Sequence, residues 1–430
     1  MDRTRNGRGT PTRTAAAPHE GRARQRALAI ASLPAGEDLR ELQELLRTAG
    51  VAVAGQMVQH REEPHPNTYL GPGKLEELKA YAKERDANLI ACDDELTPRQ
   101  ERNLEAAVGL PVVDRTTVIL DIFAGHAGSA EGKLQVELAQ LQYNLARMRG
   151  LWTHLERLGG GIGTRGPGES QIETDRRLAR DRISALKRRL AGVHSSREVM
   201  RAERGRASLP EMALAGYTNA GKSTLLNALS GSSVSVADRL FHTLDPTTRT
   251  LRLGGRSYLA TDTVGFIRKL PHQLVDAFAA TLEETRRAQL VLHVVDASTS
   301  EEDAVEMRRA VEDVLEEIGA GEQPRLLVLN KIDLLGPDEL IRARNAARSD
   351  TLLVSASTGA GLDELKARIE QEFLRGLREV DLLLPYADGA QLAELHDMAG
   401  ELERENTERG VLVHALLPPS VAARYARYAL

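Results

Sequence analysis

One stretch of eight residues constrains the fold of this 430-residue chain more than any other feature of its sequence. Residues 216–223 read GYTNAGKS, in which four residues separate two glycines and the second glycine is followed by Lys and Ser. An apolar, strand-like run lies directly before this stretch, and a helical pattern begins within it at Lys222. Glycines allow several backbone N–H groups to converge on phosphate oxygens, in conformations that side chains would obstruct. The stretch therefore predicts a phosphate-binding loop between a strand and a helix.

The residue types in this loop predict their roles around a nucleotide. Lys222 is expected to reach the β- and γ-phosphates, and Ser223 is expected to ligate Mg²⁺. The helix that follows would direct its positive N-terminus at the phosphates. The predicted nucleotide-binding residues of the loop are Gly216, Tyr217, Thr218, Asn219, Ala220, Gly221, Lys222 and Ser223.

The base of the nucleotide is indicated by two later motifs. Asn330, Lys331, Ile332 and Asp333 stand at the end of an apolar strand, where a carboxylate can accept both the N1–H and the N2–H₂ of guanine. Adenine lacks those donors. The second motif could supply a backbone N–H to the guanine O6, and its residues are Ser355, Ala356 and Ser357. A solvated turn would explain Asp333 in isolation, but the order and spacing of three motifs favour a guanine nucleotide.

Two segments between these motifs are predicted to respond to the γ-phosphate. The run Asp262, Thr263, Val264 and Gly265 would place Asp262 near the water shell of Mg²⁺ and the Gly265 N–H near the γ-phosphate. The upstream segment is polar and rich in turn residues, and its candidate residues are Phe241, His242, Thr243, Leu244 and Asp245. Thr243 is the one expected to complete the Mg²⁺ shell. The predicted metal ligands are therefore Ser223 and Thr243.

No catalytic residue is assigned by the sequence. Phe266 stands where many GTPases carry the glutamine that orients the attacking water, and phenylalanine cannot hydrogen-bond that water. Hydrolysis is therefore expected to be slow unless another residue or a partner assists. His242 is a candidate, although a loop histidine without such a role is the favoured interpretation. Asn219 resembles an asparagine with which some GTPases hold K⁺, and a turn-stabilising side chain explains it equally well.

The alternation of strand-like runs and helical patterns divides the chain into five predicted segments. Residues 1–25 are rich in Arg, Gly, Pro and Thr, with almost no large apolar side chain, so we expect a disordered basic tail. Residues 26–130 are predicted to form a small parallel or mixed α/β domain. Residues 131–206 are expected to form a long helical hairpin with a glycine-rich tip. A doubly wound P-loop GTPase sheet is predicted for residues 207–376, and a small C-terminal α/β unit for residues 377–430.

Apolar residues mark the two helices of the predicted hairpin. They recur every three or four residues along each helix. In the first helix they are Leu134, Leu138, Leu141, Leu145 and Met148, and in the second Ile172, Ala179, Ile183, Leu186, Leu190 and Val193. Residues 159–168, GGGIGTRGPG, are predicted to form an extended or turning loop, because so many Gly and Pro residues exclude a helix.

Composition excludes several classes of protein. No apolar run approaches the roughly 18 residues that span a bilayer, and the N-terminus lacks the apolar centre of a secretory signal. The lone Cys92 cannot form an internal disulfide, so a reducing cytoplasm is the expected location. Aromatic residues make up 3% of the chain, which argues against a protein that stacks single-stranded bases on aromatic side chains.

The distribution of charge indicates a nucleic-acid partner. The net charge of the whole chain is −5, but residues 147–206 contain 15 Lys or Arg against 7 Asp or Glu, a local net charge of +8. Phosphate backbones attract such regions. A solvated helix face is the usual alternative, and the adjacent tip favours the RNA interpretation, since Arg165 lies there among glycines that permit close approach.

Long strings of residues resemble one family, the HflX ribosome-associated GTPases. The resemblance covers nearly all of the chain from about residue 26. Its strings are NTYLGPGK at residues 67–74, VDRT at 113–116, DIFA at 121–124, GKLQVELAQL at 132–141, GGGIGTRGPGESQIETDRR at 159–177, GYTNAGKSTLLNAL at 216–229, TLDPTTR at 243–249 and DTVGFI at 262–267. Phe266 also fits, since the family carries an apolar residue at that position.

The resemblance implies a function and partners. Members of the family bind the large (50S) ribosomal subunit and split stalled or idle ribosomes under stress, so we expect a cytoplasmic, partly ribosome-bound GTPase that acts as a monomer. Residues 159–168 would then approach the ribosomal catalytic centre and its rRNA. The resemblance also implies an ATP site in the N-terminal domain, with residues 71–74 as its contact, although a turn before a helix explains those residues equally well.

Two other functions are compatible with the same residues. One is a ribosome assembly factor that uses GTP as a timer and has no splitting activity. The other is a signalling switch that binds only proteins. Release of free subunits from intact ribosomes would distinguish the first of these from a splitting factor, and stimulation of hydrolysis by ribosomal RNA would exclude the second.

Overall fold

The computed structural model describes residues 25–33, 38–148, 167–206, 209–231, 240–241, 246–269, 279–399 and 402–430. The chain divides into two compact units. The first runs to Leu96 and includes Gln100–Arg115, and the second comprises Thr97–Arg99 and Thr116–Leu430. The predicted basic tail lies outside the described residues, apart from its last residue.

The first unit is built on a parallel sheet. Its strands are β1 (Arg26–Leu33), β2 (Ala52–His60), β3 (Leu89–Cys92) and β4 (Val112–Asp114), in the spatial order β2-β1-β3-β4. Helices α1 (Arg40–Thr48), α2 (Pro72–Glu84) and α3 (Pro98–Val108) connect them. Every strand pair is parallel, because each connection crosses back over the sheet. Apolar side chains of the strands and of α2 and α3 pack into one core, which includes Leu28, Ile30, Leu78, Ile90 and Leu104. The prediction of an α/β fold is confirmed here.

In the described residues that follow, three helices are present, and two of them pack along each other. They are α4 (Arg115–His126), α5 (Ala130–Arg147) and α6 (Pro167–Arg206). Leu138 on α5 packs against Leu186 and Leu190 on α6, as the apolar spacing predicts. Although α6 spans 40 residues, no helix in the described part of the chain is long and apolar enough to cross a membrane.

The glycine-rich tip is shorter than predicted. Residues 159–166 lie outside the described residues, but Pro167 and Gly168, predicted as loop, are the first residues of α6. That part of the prediction is wrong. Proline suits this position because the first N–H groups of a helix have no intrahelical partner and its fixed φ is already helical.

A six-stranded sheet forms the centre of the second unit. Its strands are β5 (Glu211–Gly216), β6 (Thr247–Leu253), β7 (Arg256–Asp262), β8 (Leu290–Asp296), β9 (Arg325–Asn330) and β10 (Thr351–Leu353). The spatial order is β10-β9-β8-β5-β7-β6, and β6 runs antiparallel to β7 while the other pairs are parallel. The connecting helices are α7 (Lys222–Ser230), α8 (Ala279–Arg287), α9 (Glu301–Glu317), α10 (Pro337–Ala346) and α11 (Leu362–Arg375). The carboxyl ends of the parallel strands therefore meet at one edge, where ligands bind in doubly wound folds.

A three-stranded antiparallel sheet ends the chain. Its strands β11 (Arg378–Leu384), β12 (Glu403–Thr407) and β13 (Gly410–Leu417) lie in the order β11-β13-β12, with helices α12 (Gly389–Ala399) and α13 (Pro419–Arg424). Leu382, Leu395 and Val413 belong to its core. The sequence of β12 carries little strand signal, because four of its five residues are polar and exposed at the edge of the sheet.

Candidate nucleotide site

The glycines of the phosphate loop are required by close contacts. Strand β5 ends at Gly216, where an added Cβ would lie 2.2 Å from the carbonyl oxygen of Val294 on β8. Gly221 precedes α7 with a φ of +87°, and an added Cβ there would lie 2.3 Å from Nδ2 of Asn330. Asn219 has a φ of +61°, which asparagine tolerates better than most residues. The loop can take this shape only with glycine at positions 216 and 221.

Lys222 is buried within the curve of the loop. Its Nζ donates to the carbonyl oxygens of Gly216 and Tyr217, at 2.9 Å in each case. Burial lowers the pKa of Lys222 to about 8, against the opposing effect of the Asp262 carboxylate. The side chain is therefore held as a cation below that pH and can contact an anion that lies over the loop.

A hydroxyl and a carboxylate meet beside Lys222. Oγ of Ser223, in the first turn of α7, donates to Oδ2 of Asp262 at 2.5 Å. Asp262 is the last residue of β7 and is buried. Hydroxyl and carboxylate oxygens are ligands that Mg²⁺ prefers, so this pair fits the expected metal. The second predicted ligand, Thr243, lies outside the described residues, together with His242, Leu244 and Asp245.

Phe241 is the one described residue of that upstream group, and it packs inside the protein. Its ring meets the ring of Phe123 on α4 edge to face, with the centroids 4.6 Å apart. Both side chains are buried, and Phe241 has a φ of +56°. The structure therefore assigns Phe241 a packing contact with α4.

Asn330 connects the phosphate loop to the predicted base loop. Its Nδ2 donates to the carbonyl oxygen of Ala220 at 2.9 Å, and its Oδ1 accepts from the N–H of Ala356 at 3.0 Å. The side chain is buried at the end of β9. Lys331 follows with a φ of +66°, and its Nζ lies 2.7 Å from Oδ2 of Asp296. One amide thus holds both loops in register.

Asp333 lies beside the serine motif and accepts hydrogen bonds from it. Oγ of Ser355 donates to its Oδ1 at 2.5 Å, and Oγ of Ser357 donates to its Oδ2 at 3.2 Å. These hydrogen bonds lower the pKa of the Asp333 carboxyl, and the one from Ser355 has the largest effect. The carboxylate is exposed and ionised, so it can accept hydrogen bonds from the edge of a guanine base.

The segment after β7 is tied by its backbone to the phosphate loop. The N–H of Thr218 donates to the carbonyl oxygen of Phe266 at 2.8 Å. The N–H of Phe266 in turn donates to the carbonyl oxygen of Gly216 at 3.2 Å. The Phe266 side chain has no exposed surface. Oγ1 of Thr263 donates to the carbonyl oxygen of Leu214 at 2.7 Å. Movement of one segment would therefore move the other.

Two contributors to this site were missed by reasoning from the sequence. Asp296, the partner of Lys331, ends β8 at the same edge of the sheet, and that position was a signal that could have identified it. Phe123 precedes Phe241 by more than a hundred residues, and nothing local indicates the contact between them.

Three family models match consecutive parts of the chain. Residues 36–124 match one described as GTP-binding GTPase N-terminal, and residues 126–204 match one described as GTP-binding GTPase Middle Region. Residues 211–331 match a model described as 50S ribosome-binding GTPase, and this range contains the phosphate loop.

Relatives match over most of the chain. It is 47% identical to GTPase HflX of Lacrimispora saccharolytica over 389 residues, which cover 90% of this chain and 91% of that protein. It is 46% identical to GTPase HflX of Caldanaerobacter subterraneus subsp. tengcongensis, covering 95% of this chain and 94% of that one. Among solved structures, the crystal structure of SsGBP in complex with GDP is 28% identical with a TM-score of 0.45, covering 81% of this chain and 98% of that chain.

Proposed function

This chain belongs to the HflX family of GTPases and hydrolyses GTP, and we propose that its GTP-bound form binds the large (50S) ribosomal subunit and dissociates stalled or idle ribosomes under stress. The match to a model described as 50S ribosome-binding GTPase supports the partner. The positive face of α6 supports binding to rRNA, and it is the observation on which the proposal chiefly rests.

Three of the described cations of α6 lie opposite its apolar side. Arg177, Arg180 and Arg188 are exposed and, at 3.6 residues per turn, share one face of the helix. Leu186 and Leu190 lie on the other face, against α5. A helix anchored on one side with cations on the other presents them to a phosphate backbone without rearrangement.

The test is a sucrose gradient of intact ribosomes incubated with the GTP-loaded full chain. We expect free subunits to appear with the wild type. The triple substitution Arg177→Glu, Arg180→Glu and Arg188→Glu should abolish binding, because it reverses the charge of the face. The matched control makes the same change of charge at three exposed arginines on and just after α10, by Arg342→Glu, Arg344→Glu and Arg348→Glu.

The outcomes separate the alternatives. Binding to the large subunit without release of free subunits would contradict splitting and favour an assembly factor. Absence of any binding to ribosomes would contradict both and leave a switch that binds proteins. The expectation of a cytoplasmic monomer stays a prediction, which sedimentation of the purified full chain and fractionation of cells would test.

We also propose that the residues at the strand ends hold GTP in the roles that the sequence predicts. Lys222 would contact the β- and γ-phosphates, and Asp333 the guanine. Ser223 and Thr243 would hold Mg²⁺, which supplies neutralising charge to the β- and γ-phosphates. The 2.5 Å contact of Ser223 with Asp262 supports the metal position. A Ser223→Ala variant should need a higher Mg²⁺ concentration for half-maximal turnover.

K⁺ at Asn219 stays a prediction. A φ of +61° supports the turn interpretation, since asparagine adopts this region with a local hydrogen bond. Turnover measured in K⁺ and then in Na⁺, with and without large subunits, separates the two. Equal rates in the two ions would exclude a role for K⁺.

ATP in the N-terminal domain also stays a prediction. The N–H of Gly71 donates to Oε1 of Gln59 at 2.9 Å, and Nζ of Lys74 lies 2.7 Å from Oε2 of Glu77. Both donors already have protein partners, which favours a turn before α2. Binding of a fluorescent ATP analogue to the full chain saturated with GDP would test the site.

A further inference from the structure

A buried hydroxyl lies in the phosphate loop. Thr218 is 6% exposed, and its Oγ1 has no hydrogen-bond partner among the residues that the structure describes. A buried hydroxyl without a partner is unfavourable, and valine would fill the same space without a polar atom. Thr218 lies in the phosphate loop, so a bound nucleotide or its water can supply the partner that the described residues do not.

The position of Thr218 identifies that partner. An added Cβ on Gly265 would lie 2.7 Å from Cγ2 and 2.9 Å from Cα of Thr218, and 3.2 Å from Nζ of Lys222. Gly265 and Lys222 are the two residues expected at the γ-phosphate. Thr218 thus borders the γ-phosphate, at the point where these residues converge.

The neighbouring phenylalanine explains why a hydroxyl is needed there. Phe266 is fully buried, and its backbone carbonyl accepts from the N–H of Thr218 at 2.8 Å. Its apolar ring cannot orient a water molecule. A hydroxyl can accept one hydrogen bond while donating another, which suits a group that lies between a water and a phosphate oxygen.

We propose that the Thr218 hydroxyl orients the water that attacks the γ-phosphate of GTP. Its Oγ1 accepts a hydrogen bond from the water, and its O–H donates a hydrogen bond to a γ-phosphate oxygen. The water oxygen bonds to the γ-phosphorus as the bond to the β–γ bridging oxygen breaks. That bonding electron pair leaves with GDP, and the proton lost by the water passes to the released phosphate. The inference rests on the GTP site proposed above and does not depend on ribosome binding.

Two substitutions in the full chain test the hydroxyl. Thr218→Val keeps the shape and removes the oxygen, and we expect kcat to fall roughly 10- to 100-fold, the range of one hydrogen bond to a charged group. Thr218→Ser keeps the oxygen and should remain within about threefold of the wild type. The KM for GTP and the Kd for a fluorescent GDP analogue should change less than twofold in both variants, because a contact made chiefly in the transition state lowers kcat alone.

A buried threonine elsewhere provides the matched control. Thr285 on α8 is also fully buried with an Oγ1 that lacks a partner among the described residues, so Thr285→Val should leave kcat unchanged. Wild-type kcat in Thr218→Val would overturn the proposal. An equal loss in Thr218→Ser would also overturn it, since the methyl group would then be the important part. Loss of GDP affinity in Thr218→Val would show that Thr218 has a structural role and would overturn the proposal. If the proposed GTP site itself were wrong, the wild type would not bind the nucleotide.

Discussion

The four-stranded sheet and the largely parallel six-stranded sheet use the polar groups at the carboxyl ends of their parallel strands differently. In the sheet formed by β5 and its neighbours, Lys222 and Asp333 are held by the protein in positions where they can still contact a ligand. In the sheet formed by β1–β4, the polar groups bind one another. Arg115, 2% exposed, contacts Asp93 at 2.8 Å and Glu41 at 2.9 Å.

The other polar groups of the first edge follow the same rule. Oη of Tyr69 donates to Asp94 at 2.6 Å, and burial and that carboxylate raise the pKa of Tyr69. Oδ2 of Asp114 accepts from the N–H of Leu96 at 3.0 Å. An edge of this kind stabilises its own unit. A parallel sheet with charged residues at its carboxyl edge is therefore insufficient to indicate a nucleotide site, and a loop with the glycine spacing of residues 216–223 is the distinguishing feature.

The largest expected effect comes from removing the buried arginine at the carboxyl edge of the β1–β4 sheet. Arg115→Met should lower the free energy of unfolding by about 3–5 kcal/mol, because it leaves the buried carboxylate of Asp93 and the partly buried carboxylate of Glu41 without their cation. Urea unfolding of the full chain would measure this. The matched control is Arg182→Met, which removes the exposed pair with Glu137 at 2.6 Å and should change stability by less than about 1 kcal/mol. Equal losses in the two variants would contradict a structural role for the buried cluster.

The next effect comes from removing the cation at the second edge. Lys222→Ala should reduce GTP turnover roughly 100- to 1,000-fold, since a preorganised positive group at the transferring phosphate is lost. Stability should be retained, because Lys222 is buried with a lowered pKa and its removal takes away an unfavourable group. Lys366→Ala, on α11, is the control. Turnover at the wild-type rate in Lys222→Ala would contradict the whole assignment of residues to the GTP site.

The base contact is expected to have a smaller effect with a change of specificity. Asp333→Asn replaces one carboxylate acceptor by a donor, which no longer matches the N1–H and N2–H₂ of guanine but does match the 2-carbonyl of xanthine. GTP affinity should fall about 10- to 100-fold and XTP affinity should rise. Competition between fluorescent GDP and each triphosphate would measure both. Asp338→Asn, at an exposed position on α10, should change neither affinity.

The parts of this site that depend on neighbouring residues could be predicted, and those that depend on distant contacts could not. The phosphate loop between β5 and α7 follows from glycine spacing, and β3 follows from a short apolar run at residues 89–92. Strand β6 is hard to predict because its Thr and Arg residues lie at an exposed edge, where the apolar signal is weak. The bridge made by Asn330 joins residues 110 positions apart, and the sequence contains no local trace of it.

The smallest expected effect is on the pH dependence of stability. It comes from a buried polar group that, unlike Arg115, lacks a partner among the described residues. His293 on β8 is 1% exposed, and its Nε2 has no hydrogen-bond partner among the described residues. Burial, followed by the charges of Arg325, Arg308 and Lys222, lowers the pKa of His293 to about 3. The side chain is therefore neutral in the folded protein over the range in which histidine in the unfolded chain, with a pKa of about 6.5, takes up a proton.

The unfolded state binds the extra proton between about pH 6.5 and pH 3, so stability is lost as the pH falls through this window. Between pH 7.0 and pH 5.5 the wild type should lose about 1 kcal/mol more than His293→Leu, which has no group to titrate there. Urea unfolding of both proteins at the two pH values measures the difference, and any offset common to both pH values cancels. Identical losses would show that His293 is protonated as easily inside the sheet as in the unfolded chain, and the contrast with the paired edge around Arg115 would disappear.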